Sequence, residues 1–283
     1  MSYQITLYPT PKRAYNACLP FWSQHEIHNN LTIGLFAKAK DRDEPIVELS
    51  CFSIADEKGI CATGLTSRKR WIISYSEFSA ELIAILAKVI SDLSIPYEGL
   101  FGEKKGTDAL AHLLAPGTKP NREMMGHEIL AVEDLPMASG RMVIADESHA
   151  ELSADWGYRF QQELNMTPSR TPAQWLDHAR ERIQAGLQFC WLSEAGEVVS
   201  VCAAVRETPS AFIIGGVYTP PELRGHGYAR SCVHQATAEL LRRKPRCGLF
   251  TDLANPISNR IYYQIGYRPI GEFSDYVLVP PTT

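Results

Sequence analysis

The 283-residue chain reads as an α/β (α+β) protein made of two similar halves. Three observations predict this. Strand-like and helix-like segments alternate along most of the chain. Marker segments recur at nearly constant spacing: Cys51-Phe52 and Cys190-Trp191 are 139 residues apart, and Trp71-Ile72-Ile73 and Phe212-Ile213-Ile214 are 141 apart. A turn-rich segment, Pro116–Asn121, separates the two series. A division near residue 125 then gives an N-terminal domain of residues 1–125 and a C-terminal domain of residues 126–283.

In the first half, Val47–Ile54 and Ile60–Thr66 have strand character, joined by the turn Asp56–Gly59. Trp71–Ser74 is a third short strand. Phe78, Leu82, Ile85, Leu86, Val89, Ile90 and Leu93 recur at helical spacing. Leu100–Phe101 is a strand, and Thr107 is placed to cap a helix that ends before Pro116. The linker leads to a strand-like segment around Glu128–Val132.

The second half repeats the plan. Met142–Ala145 is a strand, and helical segments follow at Glu151–Leu164 and Pro172–Gln184. Thr171 is the N-cap of the latter, with Pro172 at its first position. Phe189–Ser193, Val198–Arg206 and Ala211–Thr219 are strands. Next comes a helix with Ala229, Cys232, Val233, Ala236 and Leu240 on one face. Leu249–Thr251 is a strand, and Gly266 closes the helix Ser258–Ile265. Gly99-Leu100-Phe101 and Gly248-Leu249-Phe250 are 149 residues apart, so the second half has gained about eight residues after its third strand. Pro220–Gly227 lies there.

Composition excludes several classes of function. The chain is 45% hydrophobic and 21% charged, which argues against disorder. With 28 basic and 32 acidic residues, net charge gives no reason to expect a nucleic-acid partner. No apolar run approaches the roughly 20 residues of a membrane helix, and the first residues lack the pattern of a signal peptide. Seven cysteines without a CxxC motif suit a reduced, cytoplasmic protein. His25 and His28 lack further ligands at zinc spacing and read as surface polar residues, so no metal is expected.

The chemistry concentrates at Val217-Tyr218-Thr219-Pro220-Pro221-Glu222-Leu223-Arg224-Gly225-His226-Gly227-Tyr228-Ala229. Here a strand ends and glycines open a helix. A helix start presents unpaired N–H groups and a positive dipole end to an anion. Glycine lets that backbone approach a phosphate closely. Between Glu222 and Arg246 six basic residues face two acidic ones, a local excess of positive charge in a chain of net charge −4. The turn is neither a Walker A loop nor a complete GxGxxG.

Arg224-x-x-Gly227-x-Ala229 resembles the acyl-CoA pyrophosphate loop of the GNAT acyltransferase superfamily. Upstream, Ile213-Ile-Gly-Gly-Val-Tyr-Thr219 is similar to that family's fourth strand. Downstream, Asn255-Pro-Ile-Ser258-Asn259-Arg-Ile-Tyr262-Tyr-Gln-Ile-Gly266-Tyr267 resembles its Asn-x-x-Ala-x-x-Leu-Tyr-x-x-x-Gly-Phe segment. The resemblance covers roughly residues 128–278. It implies a central, mixed, mostly antiparallel twisted sheet flanked by helices, here in tandem with a degenerate first copy.

The resemblance further implies an acetyl-CoA-dependent N-acetyltransferase acting by direct attack on a primary amine, small or peptidic. It places Val217, Tyr218, Thr219, Arg224, Gly225, His226, Gly227, Tyr228, Ala229, Asn255, Ser258 and Asn259 at acetyl-CoA. Val217 lies near the oxyanion donor, and Tyr262 is the general acid. Tyr263, one residue further round the helix, reads as core. The glutamate that some members carry is Ile213 here, so the base stays open between Asp252, Glu163 and water. The first half lacks the turn, and Leu113 and Gly106 stand at the places of Tyr262 and Asn255. It is expected to bind no CoA and to wall the acceptor pocket. A glycine N-acyltransferase-like enzyme with a longer acyl donor, or a non-catalytic CoA-binding sensor, are the alternatives. A monomer or homodimer is expected.

Overall fold

A computed structural model describes residues 2–46, 49–164 and 170–278. The chain begins with β1 (Gln4–Tyr8), α1 (Pro11–Trp22) and α2 (Asn30–Ala37). Three strands follow: β2 (Cys51–Asp56), β3 (Gly59–Ser67) and β4 (Arg70–Ile73). Then come α3 (Ala80–Leu93), β5 (Gly99–Glu103), α4 (Lys104–Leu114) and β6 (Arg122–Ile129). The second series is β7 (Arg141–Ile144), α5 (Ala150–Glu163), α6 (Pro172–Gln184), β8 (Gln188–Leu192), β9 (Val198–Glu207) and β10 (Ala211–Tyr218). It continues with α7 (Tyr228–Leu241), β11 (Arg246–Asp252), α8 (Pro256–Ile265) and β12 (Arg268–Val277).

The chain divides into two compact units. One comprises Met1–His127, Phe250–Pro256 and Pro269–Thr283; the other comprises Glu128–Leu249 and Ile257–Arg268. In the first unit the strand order is β1-β2-β3-β4-β5-β12-β6. β1 through β4 are antiparallel neighbours, β4 and β5 run parallel, and β12 returns antiparallel to β5. In the second unit the order is β11-β10-β9-β8-β7, antiparallel except for the parallel pair β10 and β11. In each series, a strand and two helices precede three strands, a helix, a strand and a helix. That shared order is the physical content of the repeat.

The period-two alternation of strand side chains explains the cores. In the first unit Phe52, Trp71 and Ile73 face the cluster containing Leu86 and Leu110 of α3 and α4. Their neighbours Cys51 and Ile72 face Cys18, Trp22, Ile33 and Phe36 of α1 and α2. In the second unit Phe189, Trp191, Phe212 and Ile214 pack on Val233, Ala236 and Leu240 of α7. Cys190, Leu192, Val201 and Tyr218 face Trp156 of α5.

Local signals place several ends. Thr171 and Gln174 form a reciprocal capping box at α6, with Pro172 at the first helical position. Gly266, at φ 117°, ends α8 in a conformation that suits glycine. The expected cap at Thr107 is corrected: Glu103 accepts from Gly106 N at 3.2 Å, so α4 starts at Lys104 and Thr107 lies buried inside it. The strand expected from Val47 is β2, which starts at Cys51; Val47 and Glu48 lie outside the described residues. His28 is not a plain surface residue. Its ring packs 4.4 Å from Tyr75 and its Nε2 lies 3.2 Å from the Ile270 carbonyl, and burial lowers its pKa.

Candidate active site

β10 is irregular where the chemistry was expected. Its parallel pairing with β11 runs from Ala211 opposite Arg246 to Ile214 opposite Leu249 and stops there. On the β9 side the register slips between Ile213 and Ile214, and again between Gly215 and Tyr218. Gly216 has φ 59°, and a Cβ built on it would meet no atom within 4 Å. The segment Gly216–Val217, between the paired residues Gly215 and Tyr218, therefore carries main-chain groups outside the regular ladder, as a bulge does. Ile213, 1% exposed, brings no ionisable group to this stretch.

The strand end is fastened by side chains. Thr219 Oγ1 donates to Ser200 Oγ at 2.9 Å, and Ser200 Oγ donates to the Tyr218 carbonyl at 3.2 Å. Arg224 Nε donates to the Thr219 carbonyl at 2.9 Å. The turn then passes through Gly225 at φ 87° and Gly227 at φ 78° into α7. Gly227 is the N-cap, and no side chain caps the helix start. The first-turn N–H groups of α7 are thus left to a ligand or solvent. His226 is exposed and stacks on Tyr228, ring centroids 5.5 Å apart; Ala229 is half-buried.

Arg224, which the resemblance places at acetyl-CoA, is engaged by protein. Its Nη2 donates to Glu163 Oε2 at 2.6 Å, and the Tyr218 hydroxyl donates to Glu163 Oε1 at 3.0 Å. Burial and the adjoining Glu163 carboxylate raise the Tyr218 pKa. The sequence carried no signal for this contact, because Glu163 lies 61 residues before Arg224. Asp252, the other carboxylate considered as a base, pairs with Arg122 at 3.4 Å and accepts from Ala254 N at 2.8 Å. Those contacts make it a turn former.

Tyr262 lies on α8 and packs against the same core as Val217, Leu223 and Tyr228. Its ring meets Tyr267 edge-on at 6.1 Å, and the Tyr267 hydroxyl lies 2.9 Å from Thr237 Oγ1 of α7. Burial, helped by Cys202, raises the Tyr262 pKa, so the phenol keeps its proton through the neutral range. Tyr263 corrects the expectation of a core residue: it is 59% exposed, with the Arg268 guanidinium 4.5 Å above its ring. Ser258 and Asn259 lie half-buried in the first turns of α8, whereas Asn255 is exposed and falls in the segment grouped with the first unit. Among the described residues no group of three or more His, Cys, Asp or Glu is placed to hold a metal ion.

The fold recurs in solved structures. A GCN5-related N-acetyltransferase from Sphaerobacter thermophilus superposes with a TM-score of 0.63 at 14% identity, covering 97% of this chain and 94% of that one. An acetyltransferase of the GNAT family from Colwellia psychrerythraea gives 0.60 at 12% identity, covering 98% and 100%. A tandem GNAT protein from the clavulanic acid biosynthesis pathway gives 0.55 at 11% identity, covering 99% and 100%. The chain has the tandem GNAT fold. The family model of FR47-like protein matches residues 193–276. No curated protein matches the chain. β10 is the fourth strand of the second series, and Arg224–Ala229 leads from it into α7.

Proposed function

We propose that this chain is an acyl-CoA-dependent N-acyltransferase that moves an acetyl group from acetyl-CoA to a primary amine. The observation that carries the proposal is the uncapped start of α7 behind Gly225 and Gly227, directly after the interrupted strand β10. The first offers N–H groups to a pyrophosphate. The second offers main-chain groups to the pantetheine arm and to the oxyanion.

The neutral amine attacks the thioester carbonyl; the new C–N bond forms and the C–S bond breaks. A backbone N–H near Val217 meets the transient oxyanion. The departing thiolate takes its proton from the Tyr262 hydroxyl, which burial keeps protonated. The amine's own proton leaves to water, since Ile213 offers no base and both carboxylates considered for that role are held in structural contacts. His226, Tyr228, Ala229, Ser258 and Asn259 complete the donor site in this proposal. The acceptor is a small or peptidic amine, and the setting is cytoplasmic, in keeping with seven free cysteines.

Thiol release from acetyl-CoA across a panel of amines and peptides tests the reading. Amine-dependent release that falls in Tyr262→Phe supports it. Calorimetric failure to bind acetyl-CoA refutes it. The absence of a carboxylate at Ile213 favours a second reading, a CoA-binding protein without turnover. Tight binding with no release on a broad panel would select that one.

A further inference from the structure

We propose that Glu163 is a positioning residue for the donor turn. Its carboxylate latches Arg224 and Tyr218, and through Arg224 fixes the path of the backbone into α7. The ligand in this proposal rests on the acyl-CoA reading above; the latch rests on geometry alone.

Glu163 is the last residue of α5 and uses both oxygens, one on the Tyr218 hydroxyl at 3.0 Å and one on Arg224 at 2.6 Å. Trp156, two turns earlier on α5, packs its ring 5.7 Å from that of Tyr218. Arg224 spends its planar fork on the chain itself: Nε on the Thr219 carbonyl, Nη2 on Glu163, and its guanidinium 5.9 Å from the Tyr218 ring centroid. Tyr218 and Arg224, on either side of Thr219–Leu223, are thereby tied to one helix end. Gly225 and Gly227, both at positive φ, have wide conformational freedom and no side chain to hold them. Without the latch the amides that face the pyrophosphate would sample many directions.

The pair is neutral, so Arg224 brings no net positive charge to an incoming polyphosphate. Anion affinity then comes from oriented N–H groups, and the value of Arg224 is geometric. This gives a difference in sign. If Arg224 were a phosphate ligand, Glu163 would compete with the phosphate, and removing its charge would tighten acyl-CoA binding. If Glu163 is a latch, removing its charge weakens binding.

The test compares wild type, Glu163→Gln, Arg224→Gln and the double variant. The side chains are 41% and 48% exposed, so effects are modest. Each single variant should raise the acetyl-CoA KM roughly threefold to tenfold, with kcat at saturation held within about twofold. The double variant should be no worse than the worse single one. Hydrogen exchange of the Ser231 amide, which donates to the Gly227 carbonyl at 3.1 Å, should speed up in all three variants of the ligand-free protein. Tighter acetyl-CoA binding by Glu163→Gln, or unchanged exchange, overturns the latch. Wild type that fails to bind acetyl-CoA while the variants still show faster exchange would remove the acyl-CoA reading and leave the latch standing.

Discussion

The Ser79 hydroxyl accepts the Leu82 amide at 3.1 Å and so closes the start of α3. Glu81 adds a negative charge in the same first turn. The corresponding helix of the second unit, α7, starts at Gly227 with neither a side-chain cap nor an acid in its first turn. Two copies of one element order thus have opposite chemistry where an anion would bind. Calorimetry should find one acetyl-CoA site per chain. Ser79→Ala should lower folding stability by about 1 kcal/mol, the usual worth of an N-cap, and leave the acetyl-CoA KM unchanged. Two equivalent sites per chain would contradict the assignment.

The glycine turn should be sensitive for reasons of backbone and not of space. A Cβ on Gly225 meets nothing within 4 Å, yet φ is 87°. Gly225→Ala should therefore cost about 1–2 kcal/mol of stability and raise the acetyl-CoA KM, because the amides turn. Gly196, at φ 84° and equally open, lies in the turn between β8 and β9. Gly196→Ala should show a similar loss in denaturant unfolding with no change in KM. Equal KM effects at both positions would remove the special role of the turn.

Tyr262→Phe keeps the ring that packs edge-on against Tyr267. Its stability should change by less than about 1 kcal/mol, while kcat falls on the order of a hundredfold or more. Because burial raises the Tyr262 pKa above the ordinary 10.0, the rate should show no fall from loss of this proton below pH 10. A Phe variant with wild-type kcat would leave the proton to solvent.

Stability should fall on the alkaline side. Burial pushes the thiols of Cys190 and Cys247 from 9.0 to about 12. These folded-state pKa values are raised, so the stabilisation is fully present below pH 9. It is lost above that, where the unfolded thiols ionise first. By pH 10 each thiol contributes a loss on the order of 1 kcal/mol. Urea midpoints measured from pH 7 to 10.5 should decline from near pH 9, and Cys247→Ala should flatten part of that decline. A midpoint that stays constant to pH 10.5 would contradict the assigned burial.

Much of the second unit was legible because its signals are local. The start of α6 follows from Thr171 and Pro172, and the strands β8 to β10 follow from apolar runs between turns. At the start of the chain the signals are weak. β1 is exposed along most of its length and has no alternation to read, and α1 holds Pro20 within it. β12 begins Arg-Pro-Ile-Gly and pairs with β5, some 170 residues earlier, which no local pattern announces.

By itself the sequence determined the α/β class, the repeated unit and the glycine turn between β10 and α7, since periodicity, glycine and proline act over a few residues. Only the tertiary structure decided that the last strand joins the first unit's sheet, that Arg224 is held by Glu163, and that Tyr262 shares a core with Val217. Those are contacts between residues far apart in the chain. They form only when side chains from several elements compete for the same buried space and the same hydrogen-bonding partners.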